Sequence, residues 1–136
     1  MTATITKAKV YLGTDDSFTV SSSGTTLYGS AGNDTVTIAA GVTGVILDQN
    51  VEQIDFSNVS SGYAFKQTGN IINVYDATGA ILLVKAPVQG DSDGTLLSFG
   101  DGTASALLAG GVMTVGDAAV SSAAPTTLTP TLKPLP

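Results

Sequence analysis

A chain of 136 residues with 43% hydrophobic content can bury the core of one domain, yet only 12% of it is charged, about half of the roughly 25% usual in soluble proteins. With no Cys and no His it has no disulfide, no thiol nucleophile, no imidazole base and no imidazole or thiolate metal ligand. Five basic residues against eleven acidic ones, a net charge of −6, exclude a partner recognised by a row of phosphates, so no nucleic acid is expected, and favour divalent cations instead.

The opening residues, MTATITKAKVYLG, lack the apolar stretch of a secretory signal, and no run of apolar residues reaches the length of a membrane span. Thr2–Tyr11 alternates Ile5, Lys7 and Lys9 and reads as a strand. Asp16-Ser17-Phe18-Thr19-Val20 then alternates polar and apolar residues, as a half-buried strand does. The pattern returns at intervals of 18 residues, in Asp34-Thr35-Val36-Thr37-Ile38, Glu52-Gln53-Ile54-Asp55-Phe56 and Asn70-Ile71-Ile72-Asn73-Val74. Two apolar columns result: Phe18, Val36, Ile54, Ile72, and Val20, Ile38, Phe56, Val74. A polar column holds Asp16, Asp34, Glu52 and Asn70, and half a period away Leu27, Val45, Tyr63 and Ile81 form another apolar one.

Such a period predicts an all-β fold, a β-solenoid of 18-residue coils in which each coil buries its apolar column against the next. The alternative is an antiparallel β-sandwich. One set of turns, Leu12–Asp16, Gly29–Asp34, Asp48–Glu52 and Lys66–Asn70, is acidic. The opposite set, Ser21–Thr25, Ala39–Thr43, Ser57–Ser61 and Asp76–Gly79, is mostly small and neutral.

The phase breaks after Leu83. Residues 86–94 read as a loop, in which Asp91 and Asp93 form an acidic turn without the spacing of an EF-hand. Thr95–Phe99, Ala104–Leu108 and Val112–Val115 read as further strands. From residue 121 the chain becomes an extended, Pro-punctuated tail, in which Leu128, Leu132 and Leu135 call for a surface to dock on. The division expected is 1–11 as an N-terminal strand segment, 12–120 as the solenoid and 121–136 as the tail.

The acidic turns carry the chemistry. Stacked coils would hold Asp16, Asp34 and Glu52 about 5 Å apart, a spacing at which carboxylates repel unless a cation intervenes. The other reading is that Asp34 and Asn33 close Asx-turns at a strand end. Gly29-Ser30-Ala31-Gly32-Asn33-Asp34-Thr35-Val36-Thr37 resembles the nonapeptide GGxGxDxUx of secreted calcium-binding RTX proteins, with Ser30 in place of the second Gly. Gly13–Phe18 is a weaker copy one coil earlier. The resemblance implies calcium bound by Gly29, Ala31, Asn33 and Asp34, with Asp15 or Asp16 from the adjacent turn. It also implies type I secretion and an extracellular place in a Gram-negative bacterium.

No catalytic constellation is present: Ser and Thr have no His to activate them, and no Trp offers a sugar platform. Tyr11, Tyr28 and Tyr75 are candidate surface sugar contacts, and Tyr63 a core residue. The function expected is a non-enzymatic, calcium-stabilised structural protein that assembles with itself through unpaired strand edges into a fibre, surface layer or biofilm matrix. The alternatives are a calcium-dependent adhesin module and a cytoplasmic polymer resembling bactofilins.

Overall fold

A computed structural model describes residues 9–88 and 94–134. The expected strand Thr2–Tyr11 is described from Lys9 only, and Asp91, Asp93 and Leu135 lie outside the described residues. The protein is all-β. Its strands are β1 (Lys9–Tyr11), β2 (Ser17–Val20), β3 (Thr26–Tyr28), β4 (Asp34–Ile38), β5 (Val45–Leu47), β6 (Val51–Phe56), β7 (Tyr63–Thr68), β8 (Ile71–Asp76), β9 (Leu82–Pro87), β10 (Thr95–Phe99), β11 (Gly102–Ala109), β12 (Val112–Val115), β13 (Ala118–Ala119) and β14 (Thr126–Thr127). A 3-10 turn, Ser60–Gly62, precedes β7. Among the described residues no helix is long and apolar enough to cross a membrane.

The strands form two seven-stranded mixed sheets in a sandwich-like arrangement. Sheet A runs β1-β3-β5-β9-β8-β7-β14, and sheet B runs β13-β12-β11-β10-β6-β4-β2. Successive strands alternate between the sheets from β1 to β6, and within each sheet these six strands are parallel. In sheet B the 18-residue offset is the pairing register: Phe18 lies beside Val36, Val36 beside Ile54, Val20 beside Ile38, and Ile38 beside Phe56. Residues two apart share a face, so Val36, Ile38, Ile54 and Phe56 all point inward and are buried.

Three expectations about the period are corrected. In sheet A, Leu27 pairs with Leu47, not with Val45, which lies beside Val84, and Ile81 is exposed. The turn between β4 and β5 is longer than its counterpart between β2 and β3, and this moves the register. Glu52 does not stack on Asp34: Val51 stands opposite Asp34 and Gln53 opposite Thr35, leaving Glu52 in a bulge. The fourth repeat also departs. Ile72 and Val74 belong to β8 in sheet A, between the antiparallel partners β7 and β9. The cause is the two-residue loop Gly69-Asn70, with Gly69 at φ +60°. A link that short joins antiparallel strands, whereas a parallel return needs a crossover. The loops Gly100-Asp101, Gly110-Gly111 and Gly116-Asp117 make hairpins of β10–β11, β11–β12 and β12–β13 in the same way. Pairing of β10 with β6, parallel, attaches these hairpins to the parallel strands β2, β4 and β6.

One core serves both sheets. Phe56 and Phe99 of sheet B stack with ring centroids 5.3 Å apart, and Tyr63 and Phe65 of sheet A pack on Phe99. Tyr63 is thus a core residue, its hydroxyl accepting the Asn58 amide at 2.9 Å. Buried Gln67 links the two hairpin systems. Its Nε2 donates to the carbonyls of Gly69 and Gly111, both at 2.9 Å, and its Oε1 accepts the Met113 amide at 3.3 Å.

The tail lies on its own domain. Thr126 and Thr127 pair with Phe65 and Ala64, Lys133 exchanges backbone hydrogen bonds with Thr103, and Asp117 holds Thr131 through amide and hydroxyl, each at 2.7 Å. Leu128 and Leu132 pack against the core between these anchors.

Candidate functional site

The seven residues singled out as calcium ligands lie in the turns before β2 and β4 and at the start of β4 and β6. Asp34 is fully buried. Its Oδ2 accepts the Ser30 amide, closing its own turn, and its Oδ1 accepts the Asp16 amide of the preceding turn at 3.0 Å. Asp15 reaches the other way: its Oδ1 accepts the Asn33 amide at 2.7 Å. Asp16 turns inward on itself, Oδ2 accepting the Gly13 amide and Oδ1 the Ser17 amide, both at 2.9 Å. The third turn repeats the device with a residue the sequence reading passed over. Asp48 Oδ1 accepts the Gly29 amide at 2.8 Å and the Asn50 amide at 3.1 Å. The signal for Asp48 was present in its place 14 residues after Asp34, at a strand end before Asn50, but it lay outside the 18-residue column.

Each of these carboxylates therefore stitches backbone to backbone, within a turn or from one turn to the next. Close stacking makes the glycines necessary. A Cβ on Gly29 would come within 2.7 Å of the Asn50 backbone, and one on Gly32, at φ +85°, would collide with the Asp15 carboxylate. Asp15 itself holds φ +52°, a conformation Asp tolerates better than most residues. Ala31 and Asn33 are exposed, and Glu52 is half-buried away from Asp34. Among the described residues no three acidic groups come together as a metal site. As placed, the carboxylates of Asp15, Asp16 and Asp34 are engaged by backbone amides.

Three further carboxylates act as staples elsewhere. Asp76 is held below the ordinary carboxylate value by the Thr78 hydroxyl, aided by the amides of Ile81 and Ala80. At Asp101 burial opposes the charged form, but the amide and hydroxyl of Ser60, each at 2.9 Å, outweigh it and lower the pKa. Asp117 is lowered by the Thr131 amide and hydroxyl.

The two ends of the sandwich differ. At the end of β7, β14 and β11–β13 the tail closes the gap with Leu128 and Leu132, and the edge strands β13 and β14 are two residues long. At the other end β1 and β2 are, among the described residues, the outermost strands of their sheets. Phe18, in register with the fully buried Val36 and Ile54, is 37% exposed there. Tyr11 is 74% exposed and stacks on Tyr28 with centroids 4.9 Å apart. A small hollow of about 90 Å³ between Val10, Phe18, Val20 and Thr25 marks the same end. A larger open groove, about 510 Å³, crosses the outer face of sheet B between Leu96, Thr103, Ser105, Leu107, Thr131 and Lys133.

Comparison with protein-family models, curated proteins and solved structures finds no match to this chain.

Proposed function

We propose that the protein is a non-enzymatic structural module, a short three-coil β-solenoid buttressed by hairpins, that associates with a second copy of itself through the edge formed by β1 and β2. One observation carries the reading: among the described residues Phe18 and Tyr11 end their ladders exposed, while the chain's own tail packs over the opposite end. An exposed strand edge with apolar side chains at the end of an otherwise buried column is a pairing surface unless something blunts it. The far end is blunted by two-residue strands and a proline-bearing strap. A molecule with one open end pairs about a two-fold axis and stops at two copies. This narrows the expected filament to a dimer, the building unit of an extracellular layer or matrix.

Sedimentation velocity over a range of concentrations tests it. The full chain should pass from monomer to dimer, and Phe18→Lys should hold it monomeric with an unchanged circular dichroism spectrum. A chain that stays monomeric at high concentration, in calcium and in chelator alike, would remove the reading. A ladder of higher oligomers would show that the far end is not sealed.

A further inference from the structure

The outer face of sheet A carries a cross-strand row that neither the turns nor the edges explain. Following the pairing registers, Lys9 lies beside Thr26, Thr26 beside Ile46, Ile46 beside Lys85, Lys85 beside Asn73, and Asn73 beside Lys66. All six point outward, since their neighbours Val10, Leu27, Val45, Val84, Val74 and Phe65 pack into the core. Three of the chain's five basic residues thus stand in one line on a protein of net charge −6. No carboxylate stands in that line. Asp48, two residues beyond Ile46, is engaged by the Gly29 and Asn50 amides. Asn73 is buried between the two lysine strands, its amide donating to the Lys66 carbonyl at 3.1 Å and to the Thr68 hydroxyl at 3.0 Å. This ties β7 to β8 beneath the charges.

We propose that this row binds a linear anionic polysaccharide. Strands repeat at about 4.8 Å, so Lys85 and Lys66, two strands apart, are separated by about 10 Å, and Lys9 and Lys85, three apart, by about 14 Å. A single small anion touches one of these ammonium groups at a time. A ligand that uses all three is extended over about 24 Å with charges spaced along it. A polyuronate has that form, and its charge density is low enough to lie on an otherwise acidic protein. A nucleic acid is much more densely charged and meets the protein's net negative field at every other point. A lipid surface calls for protruding apolar groups, and in this row Ile46, 43% exposed, is the single one. Thr26 supplies a polar contact between the charges.

Fluorescence anisotropy with labelled hyaluronan and labelled polygalacturonate, at low and at physiological ionic strength, tests the proposal on the full chain. At least one should bind, with affinity falling several-fold as salt screens the lysines. Lys66→Gln with Lys85→Gln should weaken binding tenfold or more at an unchanged melting temperature, and Lys133→Gln, at the edge of sheet B, should not. Absence of binding to both polymers at low salt would overturn the proposal. So would an equal loss in Lys133→Gln, or stronger binding to single-stranded DNA or to phosphatidylserine vesicles. The Phe18→Lys protein should bind as the parent does, which keeps this result separate from the test of dimerisation.

Discussion

Asp34→Ala separates a structural carboxylate from a metal ligand. The side chain is fully buried and accepts two backbone amides, Ser30 in its own turn and Asp16 in the preceding one. Its removal leaves both donors without an acceptor. A buried donor left unmade costs about 1–3 kcal/mol. Ser30 and Asp16 are half-buried, so water recovers part of this, and about 2–3 kcal/mol remains for the pair. For 136 residues that corresponds to a fall in melting temperature of roughly 7–10 °C. Asp34→Asn keeps one acceptor oxygen and sets an amide N–H₂ against the other donor, so its cost should lie between those of wild type and Asp34→Ala. Urea denaturation in chelator, repeated in millimolar calcium, is the assay. The turn-closing role requires the full cost in chelator. A cost below about 1 kcal/mol there, or one that arises only with calcium present, would refute it and return Asp34 to the ligand reading.

Val36→Asp puts a charge into a fully buried column and should cost several kcal/mol or abolish folding, while Thr35→Asp on the outer face should be mild; circular dichroism melts of the two compare them directly. Gln67→Leu leaves the Met113 amide and the carbonyls of Gly69 and Gly111 without their side-chain partner. It should lower stability by about 2–4 kcal/mol, read as a shifted urea midpoint at constant slope. Asp76, Asp101 and Asp117 have folded pKa values below the ordinary 3.8. Their contribution is complete above that value and lost as pH falls through the lower folded values. The urea midpoint should therefore be flat above about pH 5 and fall below pH 4, and the triple Asn variant should show a shallower acid limb.

The local periodicity was enough to determine that the protein is all-β, that Ser17–Val20, Thr35–Ile38 and Gln53–Phe56 stack at an 18-residue offset, and that Val36, Ile38, Ile54 and Phe56 face the core. Alternation with period two sets which face a side chain takes, and a repeated spacing sets which strands share a register. The hairpin at Gly69-Asn70 was also written in the chain, as a two-residue turn, but the repeat pattern read it as one more coil because Ile72 and Val74 held the same phase. Tertiary structure decided the rest. Inward position is compatible with either sheet, so the periodicity could not place Ile72 and Val74 in sheet A. A one-residue bulge moved Glu52 out of the Asp34 column, and a bulge leaves no mark in composition or spacing. The acidic residues were found as a group, yet what each does depends on the direction of its lone pairs. Asp34 points at Ser30 and Asp16, and Asp48, left out of the column, points at Gly29. The line of Lys9, Lys85 and Lys66 was invisible for the same reason: these residues are far apart in the chain, and only the five pairings that join six strands make a single row.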